Sequence, residues 1–596
     1  MMIAKDNGLS YDIVVAGLGT AGSVALITAA KQGLKVLGIE ALNAMGGTGT
    51  LGGIANYYFG SRGGIYEEIN AETRALQDAF HSNNTLINCD AKAYVLESCA
   101  RRLGADIMLD TRVTGVIKDG NRVTGLKCLR NGEYIEIKSR FVIDCTGDAE
   151  VCVMAGCRTR TGRALDGQTQ PFSNVAFVYS NNNVYTMSPD VGYVRQTDCG
   201  DLSRKIMESL AFAEVLRKNY GQKHKFITNA AIMGIREGAV IIGEENITLE
   251  GFFRNPKVEK PLFYAFSNVD SHSKDTAFED EALLDWYIVA GMWSVCFSVG
   301  VPLGALIPKE YDGILAAGRC IAVDHNMAAL IRMKRDMEKS GEAAAQIACL
   351  AIKDGVRAVD VDYGKLSRTL KETKCLNEEN NVGYIRWTSG KKVRWLDNTA
   401  DIIEGLSGDE PGIAIWSAKL MGECIKPALI KCLEDKTNGL LRKNAAFALG
   451  IMGDESCIPV LMEIAEKRDV YVPKSGVKYN YAHAVTAIYL LGKLAARESA
   501  GILLDIVRTK GVFDADSFKY DELHMKEADV SFQLISNSIV ALARIAKRCP
   551  ELRESIKREI ENSLNNGFKI SISLKANRHI EYDMAGLLKT YTEKTL

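Results

Sequence analysis

Short apolar runs alternate with helical patterns in the first third of the chain, as is typical of an α/β fold. Residues 11–16 (YDIVVA) form an apolar run rich in β-branched residues, which predicts a buried parallel strand. A glycine turn follows, then a small-residue helix over 23–32 and a second strand over 35–40. Further strands are predicted over 106–109, 113–118, 123–130, 134–138 and 140–144. This order predicts a Rossmann-type domain.

The middle of the chain has a different pattern. Over 163–299 apolar and polar positions mix and polar loops are frequent, which predicts an inserted α+β substrate domain. A buried strand over 313–317 then returns to the Rossmann pattern. We therefore predict that residues 1–162 and 300–360 form one interrupted domain, followed by a linker over 361–400.

The last third, residues 401–596, consists of apolar helices around recurring small-residue turns. Residues 417–422 (SAKLMG) and 447–453 (FALGIMG) are two of these turns, and an amphipathic helix follows each. The spacing is irregular, roughly 30 to 50 residues, which favours an all-α domain of HEAT-like helical repeats over a generic helical bundle. Because such arrays commonly present binding surfaces, self-association or a protein partner through the repeats is a further hypothesis.

The composition limits the functional classes without choosing one. Of 596 residues, 47% are hydrophobic and 25% charged, with a net charge of -1, which gives no electrostatic case for nucleic acid. The 15 cysteines show no C-x-x-C spacing. This favours buried thiols in a reducing compartment over disulfides or a metal site. The N-terminus lacks the apolar stretch of a signal peptide, so we expect a cytoplasmic protein.

One uncharged segment, residues 288–308, is long enough to span a bilayer. Small or helix-breaking residues such as Gly291, Ser294 and Pro302 interrupt it, and no basic flank orients it. We therefore predict a buried strand and loop next to a ligand, and no membrane association.

Gly17, Gly19 and Gly22 have the G-x-G-x-x-G spacing between the first strand and the first helix. The first glycine permits a tight turn, the second lets a pyrophosphate approach the backbone, and the third lets the helix pack on the strand. The N-terminus of the helix then faces the diphosphate with unpaired N–H groups. Glu40 ends the second strand, where it is placed to accept a hydrogen bond from a ribose hydroxyl. The motif predicts a bound dinucleotide.

Three later motifs favour FAD over NAD. A second glycine-rich loop covers 45–53 (MGGTGTLGG), which a plain NAD domain does not need. Residues 145–148 (CTGD) and 317–320 (AGRC) each follow a strand. With these motifs the chain resembles the glutathione-reductase-like FAD superfamily, and within it the FAD-dependent oxidoreductases that carry a G-G-x-x-T-x-G loop. The resemblance covers about the first 355 residues.

The resemblance implies FAD as the cofactor and a defined set of contacts. The second glycine loop is expected to run along the diphosphate and the isoalloxazine, and the CTGD segment to close over the first turn. The strand that contains Val113 is expected to offer backbone hydrogen bonds to the adenine. The complete expected FAD set is Gly17, Gly19, Thr20, Ala21, Gly22, Glu40, Gly46, Gly47, Thr48, Thr50, Gly52, Val113, Thr146, Gly147, Asp148, Gly318, Arg319, Ile331 and Arg332.

The sequence departs from the family pattern at two places. Ala41 stands where a basic residue usually follows the acid, and Val323-Asp324 alters the small-residue stretch before His325. We find no second nucleotide-binding strand–turn–helix, which a pyridine nucleotide reductase of the glutathione-reductase type carries. Electrons are therefore expected to pass directly between a small substrate and the flavin.

Four residues are candidates for catalysis. His325 stands where the family often shows a histidine close to the flavin, and imidazole suits proton transfer near neutral pH; a structural histidine is the alternative. His272 lies in the predicted substrate domain, where a solvated loop histidine is the alternative. Arg236 and Glu237 match the family's G-I-R-E segment, either as anion clamp and base or as a structural pair. The basic run 332–335 either binds phosphate or is a solvated face.

These observations predict an FAD-dependent oxidoreductase that transfers a hydride between the flavin and a small polar organic substrate. The reaction stays open between oxidation of C–OH or C–N and reduction of an activated double bond. Two alternatives come from other classes. One is an electron-transfer flavoprotein subunit that docks a protein partner through its helical repeats. The other is a flavin-dependent tRNA- or nucleotide-modifying enzyme, against which the near-zero net charge argues.

Overall fold

The structure is a computed structural model, and it describes residues 5–79, 86–209, 225–474, 481–517, 525–565, 567–574 and 577–596. The chain divides into two compact units. The first consists of Met1–Ser271 and Phe297–Gly383, and the second of His272–Cys296 and Tyr384–Leu596. The predicted domain boundaries stay predictions, because compactness alone does not define a domain that folds by itself.

A seven-stranded sheet with a parallel core forms the centre of the first unit. Its labelled strands are β1 (Lys5–Ala16), β2 (Val36–Ile39), β3 (Asp106–Met108), β4 (Thr111–Asp119), β5 (Arg122–Arg130) and β6 (Glu133–Asp144). Their order is β3-β2-β1-β6-β5-β4, and the strand Ile314–Ala316 pairs in parallel with β6. β1 is parallel to both β2 and β6, which makes this the Rossmann-like sheet that the sequence predicts.

Strand β6 is longer than predicted. The sequence predicts two strands, over 134–138 and 140–144, but the structure has one. Ile137, Ser139 and Phe141 are buried while Lys138 and Arg140 are exposed, so the alternation of inward and outward side chains continues through the predicted break. The single strand pairs antiparallel with β5 and parallel with β1, and it thereby joins the two halves of the sheet.

Two small-residue helices of the first unit pack on each other at very short range. A Cβ on Gly341 would collide with the carbonyl oxygen of Ala21, so only glycine allows this approach. The helices of this unit are α1 (Thr20–Lys31), α2 (Tyr66–Ala79), α3 (Cys89–Arg102), α4 (Glu150–Ala155), α5 (Cys199–Ser209), α6 (Leu249–Arg254), α7 (His325–Ile331), α8 (Lys334–Asp354) and α9 (Tyr363–Glu372). The close pair is therefore α1 with α8.

Small antiparallel sheets occupy the region in which the sequence predicts a substrate domain. They lie in the same compact unit as the parallel sheet, so a separate inserted domain stays a prediction. Their strands pair as Thr159–Thr161 with Ala239–Ile241, Phe172–Ser173 with Asp190–Gly192, Ala176–Ser180 with both Asn183–Met187 and Lys225–Asn229, and Pro261–Ser267 with Val295–Pro302.

The second unit is mainly helical. α13 packs against α14, and α15 against α17, as expected for stacked helical pairs. The helices of this unit after the linker are α10 (Thr399–Leu406), α11 (Gly412–Met421), α12 (Lys426–Cys432), α13 (Gly439–Ile451), α14 (Ile458–Glu466), α15 (His483–Lys493), α16 (Ala500–Arg508), α17 (Glu527–Arg548), α18 (Arg553–Ser563) and α19 (Ala585–Thr595).

The prediction that residues 401–596 are all-α is wrong in one respect. Ser571–Leu574 and Asn577–Asp583 form an antiparallel hairpin near the end of the chain. Within the predicted linker, Tyr384–Arg386 pairs with Lys391–Lys392. Ser573 donates its backbone N–H (2.6 Å) and its hydroxyl (2.7 Å) to the buried carboxylate of Asp529 in α17. This anchor links residues far apart in the chain, and helical periodicity does not report it.

Residues 272–296 belong to the second unit, whereas the sequence assigns them to the substrate domain. Buried Asp285 accepts hydrogen bonds from Lys419 (2.7 Å), Lys493 (2.8 Å) and the hydroxyl of Tyr489 (2.8 Å). Lys274 likewise donates to Asp529 (2.9 Å). These buried ion pairs tie the segment to the helices of the second unit.

The uncharged segment 288–308 contains the strand that the sequence predicts there. It includes the end of a π-helical turn (Asp285–Val289), the strand Val295–Pro302 and a 3₁₀ turn (Leu303–Leu306). Within the described part of the chain, no helix combines the length and apolar character that crossing a membrane requires.

Candidate functional site

The glycine turn between β1 and α1 is shaped for close backbone contact. Gly17 has a φ of 84°, in the left-handed region that favours glycine. A Cβ on Gly22 would collide with the carbonyl oxygen of Gly17, whereas a Cβ on Gly19 would meet nothing within 4 Å. Open space therefore lies beside the first turn of α1, and the N–H groups at the start of a helix can bind a diphosphate. The turn fits the dinucleotide that the sequence predicts.

Glu40 holds this turn in place. Its buried carboxylate accepts the backbone N–H of Leu18 at 2.6 Å and that of Leu42 at 3.0 Å. Burial raises the pKa of the carboxyl group, and the two backbone hydrogen bonds oppose this rise. The backbone N–H of Thr111 donates to the carbonyl of Glu40 (3.0 Å), so β4, which contains Val113, begins beside this residue. Contacts of Glu40 with a ribose and of Val113 with an adenine stay predictions.

The second glycine loop lies directly on the first turn. The N–H of Gly46 donates to the carbonyl of Leu18 at 2.7 Å, and the hydroxyls of Thr20 and Thr48 are 3.3 Å apart. A Cβ on Gly47 would lie 2.9 Å from the Cα of Gly19. The two glycine segments therefore form one continuous surface. Of the remaining predicted residues, Thr50 and Gly52 lie in this loop and Ala21 is buried in α1.

The segment after β6 joins the same surface. A Cβ on Gly17 would lie 2.7 Å from the carbonyl oxygen of Cys145. Thr146 donates its hydroxyl to Asp144 at 2.7 Å. A Cβ on Gly147 would lie 2.6 Å from a guanidinium nitrogen of Arg319, and Asp148 pairs with Arg319 at 3.8 Å. The Thr146–Asp148 and Gly318–Arg319 motifs, which are far apart in sequence, therefore meet.

A cavity of about 270 Å³, a volume that includes open solvent, lies next to Arg319. We call it the arginine cavity because Arg236, Arg319 and Arg332 line it, together with Glu237, Gly318 and Ile331. The structure therefore brings six of the predicted residues together in one cavity.

Two of the three arginines are already paired with carboxylates, one buried (Asp190) and one half-buried (Asp270). Arg236 contacts Asp190 at 2.8 Å and also donates to the carbonyl of Pro171. Arg332 donates to the carboxylate of Asp270 at 2.8 Å. Burial lowers the pKa of Arg332, and Asp270 opposes this effect. The Nη1 atom of Arg319 is buried and has no hydrogen-bond partner among the described residues, so it can donate to a bound anion.

Glu237 and His325 form a buried hydrogen-bonded pair. Nδ1–H of His325 donates to Oε1 of Glu237 at 2.8 Å, and the side-chain amide of Gln170 donates to Nε2 at 3.0 Å. The N–H of Gln170 donates to the other oxygen of Glu237 at 2.8 Å. His325 opens α7, whose first turn is capped by the side chain of Asp324. Glu237 lines the arginine cavity, whereas His325 contacts Glu237 but does not line the cavity.

The remaining predicted catalytic residue lies elsewhere. His272 is the first residue of the second unit and is half-buried there, so the site described in the first unit does not include it. A catalytic role for His272 stays a prediction.

Sequence reasoning missed the partners that complete the site. Asp190 and Asp270 neutralise two arginines, and Gln170 fixes the histidine. Each lies more than 40 positions from its partner and belongs to no motif. No local signal marks these residues, because only the fold brings them to the cavity.

Comparison with known proteins agrees with these motifs. The sequence model of the FAD dependent oxidoreductase family matches residues 12–215 and 189–370, which together cover more than half of the chain. The PBS lyase HEAT-like repeat matches residues 441–467, the stretch that contains most of α13 and all of α14.

Several curated relatives are archaeal reductases. Digeranylgeranylglycerophospholipid reductase 1 of Methanococcoides burtonii is 30% identical over 176 residues, which are 25% of this chain and 41% of that protein. Digeranylgeranylglycerophospholipid reductase of Thermoplasma acidophilum is 31% identical over 158 residues, 23% of this chain and 39% of that protein. The matched region thus spans about two fifths of the length of these relatives.

Among solved structures, a geranylgeranyl bacteriochlorophyll reductase-like protein of Thermoplasma acidophilum aligns with a TM-score of 0.32 and 15% identity. The alignment covers 76% of this chain and 98% of that one. The family match rests on the sequence model and on the motifs that meet around the glycine turn. The chain belongs to the family of FAD-dependent oxidoreductases, and its cofactor is FAD.

Proposed function

We propose that this protein reduces an activated double bond in a small, negatively charged organic substrate, and that the substrate binds in the arginine cavity. The observation that carries the proposal is the cavity itself. It places the carboxylate of Glu237 beside the Gly318–Arg319 motif and among three guanidinium groups. In the family that this chain resembles, that motif closes over the flavin. The cavity therefore supplies a charged binding surface and a proton-transfer group in one place.

The N–H donors of the three arginines favour a substrate that carries an anionic group. Arg236 and Arg332 each have one carboxylate partner, and Arg319 has Asp148 at 3.8 Å. A guanidinium has five N–H donors, so each arginine keeps donors for a substrate carboxylate or phosphate after its aspartate is satisfied. The existing pairs also hold the side chains in place before the substrate arrives.

The names of the curated relatives favour reduction over oxidation. Both are called reductases, although the matched region is a minor part of each protein. Their lipid substrates are not transferred to this chain, and the substrate is proposed only as a small anion. The glycine turn, the second loop, the Thr146–Asp148 segment and Gly318–Arg319 are the residues that would hold FAD. When bound and reduced, FAD would supply the hydride.

Reduction also needs a proton at the neighbouring carbon, and the Glu237–His325 pair is proposed to supply it. For this step Glu237, which lines the cavity, is in its acid form and gives its proton to the substrate carbon. The carboxylate that remains accepts the Nδ1–H of neutral His325, and water returns a proton to Glu237. In this scheme Glu237 is the catalytic residue and His325 positions it. Gln170 holds the far side of the imidazole.

The test starts from the FAD-loaded chain, reduced under anaerobic conditions and mixed with a panel of enoates that carry a carboxylate. We expect the flavin absorbance to return as an enoate is reduced. Glu237→Gln and His325→Ala are expected to keep the flavin but to slow this step about a hundredfold or more. Full-rate reoxidation in both variants would refute the roles of these two residues. Bleaching of the oxidised flavin by hydroxy acids, sugars or amines would refute the proposed direction.

A further inference from the structure

A second cavity of the first unit contains buried charges that the proposed reaction does not use. It has a volume of about 300 Å³, including open solvent, and Lys92, Lys334 and Glu338 line it. Thr20, Gly46 and Gly49 complete one wall, so the cavity borders both glycine segments. We call it the lysine-pair cavity.

The two lysines are held by different elements. Lys92 of α3 is 5% exposed, and its Nζ donates to the side chain of Asn70 at 2.6 Å and lies 3.4 Å from Oε1 of Glu338. Lys334, the first residue of α8, donates to the carbonyl of Ile54 and lies 4.1 Å from the centre of the Tyr57 ring. An ammonium group has three N–H donors, so both lysines keep donors for a ligand.

Glu338 supplies a hydrogen-bond acceptor for which the described residues offer no donor. It is 3% exposed, and its Oε1 already accepts the hydroxyl of Tyr57 at 2.7 Å. Its Oε2 is buried and has no hydrogen-bond partner within the ranges that the structure describes. A buried acceptor without a partner is costly, so a ligand that donates a hydrogen bond to this oxygen would be favoured.

The net charge of the lysine-pair cavity also favours a ligand that is an anion and a hydrogen-bond donor. Two ammonium groups and one carboxylate face the cavity, which leaves one net positive charge. Burial lowers the pKa of Lys334 to about 8, and the nearby Lys92 contributes to this shift. An anion would compensate the lysine pair, but an anion without donors would leave Oε2 of Glu338 unpaired.

We propose that the lysine-pair cavity binds a polyol phosphate, an anion that carries hydroxyl groups close to its charge. The phosphate contacts Lys92 and Lys334, and a hydroxyl donates to Oε2 of Glu338. The ribityl-phosphate portion of FAD has this chemistry, and so does a free sugar phosphate. This inference does not depend on the reaction proposed at the arginine cavity. The basic run 332–335 thereby contributes one residue to each cavity, Arg332 to the first and Lys334 to the second.

Two binding experiments distinguish the two sources. In the first, the FAD-free chain is titrated with FAD and with FMN. If the ligand is part of FAD, Lys92→Met and Lys334→Met weaken both by about tenfold, the loss expected for one charge-assisted hydrogen bond. In the second, the FAD-loaded chain is titrated with ribitol 5-phosphate by calorimetry. If the ligand is free, the same variants weaken this binding about tenfold and leave FAD retention unchanged.

Glu338→Gln tests the hydroxyl contact separately. The wild-type chain is expected to prefer ribitol 5-phosphate over inorganic phosphate. If FAD is the source, it is expected to prefer FMN over inorganic phosphate. In either case the preference should fall in the variant, because the charged acceptor is gone. Lys353→Met, an exposed position at the other end of α8, is the matched control and should change neither titration. Because Lys92→Met leaves Glu338 buried and unpaired, the double variant with Glu338→Gln is measured as well, and circular dichroism checks its fold. If the lysine variants bind FAD, FMN and ribitol 5-phosphate as the wild type does, the proposal is refuted.

Discussion

The two cavities of the first unit use positive charge in different ways. In the arginine cavity, two guanidinium groups already contact aspartates at 2.8 Å. In the lysine-pair cavity, two ammonium groups line the cavity with one glutamate, which only Lys92 of the two lysines contacts (3.4 Å), and one oxygen of that glutamate has no partner within the described residues. The first arrangement is organised before a ligand binds, whereas the second is completed by its ligand. The difference indicates that charges which already have partners mainly fix the geometry of a binding site. Charges that are incompletely paired mainly increase the affinity for the ligand.

The largest effect that separates the cavities is expected at Asp190. This residue is fully buried, and Asp190→Ala would leave the guanidinium of Arg236 buried without its carboxylate. We expect the free energy of unfolding to fall by about 3–5 kcal/mol, measured by denaturant titration. The double variant Asp190→Leu with Arg236→Met should recover most of this loss, because it removes both charges. A single variant as stable as the wild type would show that the pair does not organise the arginine cavity.

The next effect is a dependence on pH. Lys334 has a pKa of about 8, below its ordinary value, so it loses its charge as the pH rises through 8. We expect the affinity of the lysine-pair cavity for a polyol phosphate to fall about tenfold between pH 7 and pH 9. Arginine stays charged over this range, so anion binding in the arginine cavity should not change. Calorimetry at both pH values measures the two affinities, and parallel changes in both cavities would contradict the contrast.

The smallest effect is a gain in stability at Lys334. Its lowered pKa means that the folded chain disfavours the charged form, so without a ligand this lysine destabilises the fold below about pH 10. Lys334→Met is therefore expected to raise the free energy of unfolding by about 1 kcal/mol at pH 7, measured without added anions. At one fixed concentration, the ligand should stabilise the wild type more than the variant. A loss of stability in the ligand-free variant would indicate a structural ion pair.

The parts of the fold that the sequence predicts are those coded by neighbouring residues. The turn at Gly17, Gly19 and Gly22 can be predicted from the sequence because the three glycines fall within six positions and each meets a separate steric requirement of the turn. The strands of the parallel sheet are readable from apolar runs, although β6 continues through a predicted break. The hairpin at Ser571–Leu574 is not readable, because its anchor is a carboxylate more than 40 positions away.

The candidate site divides in the same way. The glycine loops and Arg319 carry family motifs, and the structure brings them together. The residues that set the chemistry of the cavities are paired across the chain: Arg236 with Asp190, His325 with Gln170, and Lys92 with Glu338. Single charged residues of this kind look like solvated surface in a sequence. Only the folded chain shows that they are buried and which partner each one has.

The contact between Gly341 and Ala21 has a practical consequence for protein engineering. It joins α8, which carries Lys334 and Glu338, to α1, which carries Thr20 of the glycine turn. The backbones touch without an intervening side chain, so no conservative replacement exists at this point. A library that aims to change the ligand preference can vary the cavity walls freely, but it should leave these two positions constant. A variant with a change at Gly341 or Ala21 would shift the glycine turn and the lysine-pair cavity together. Its effects on binding at the turn and on binding in the cavity could then not be selected separately.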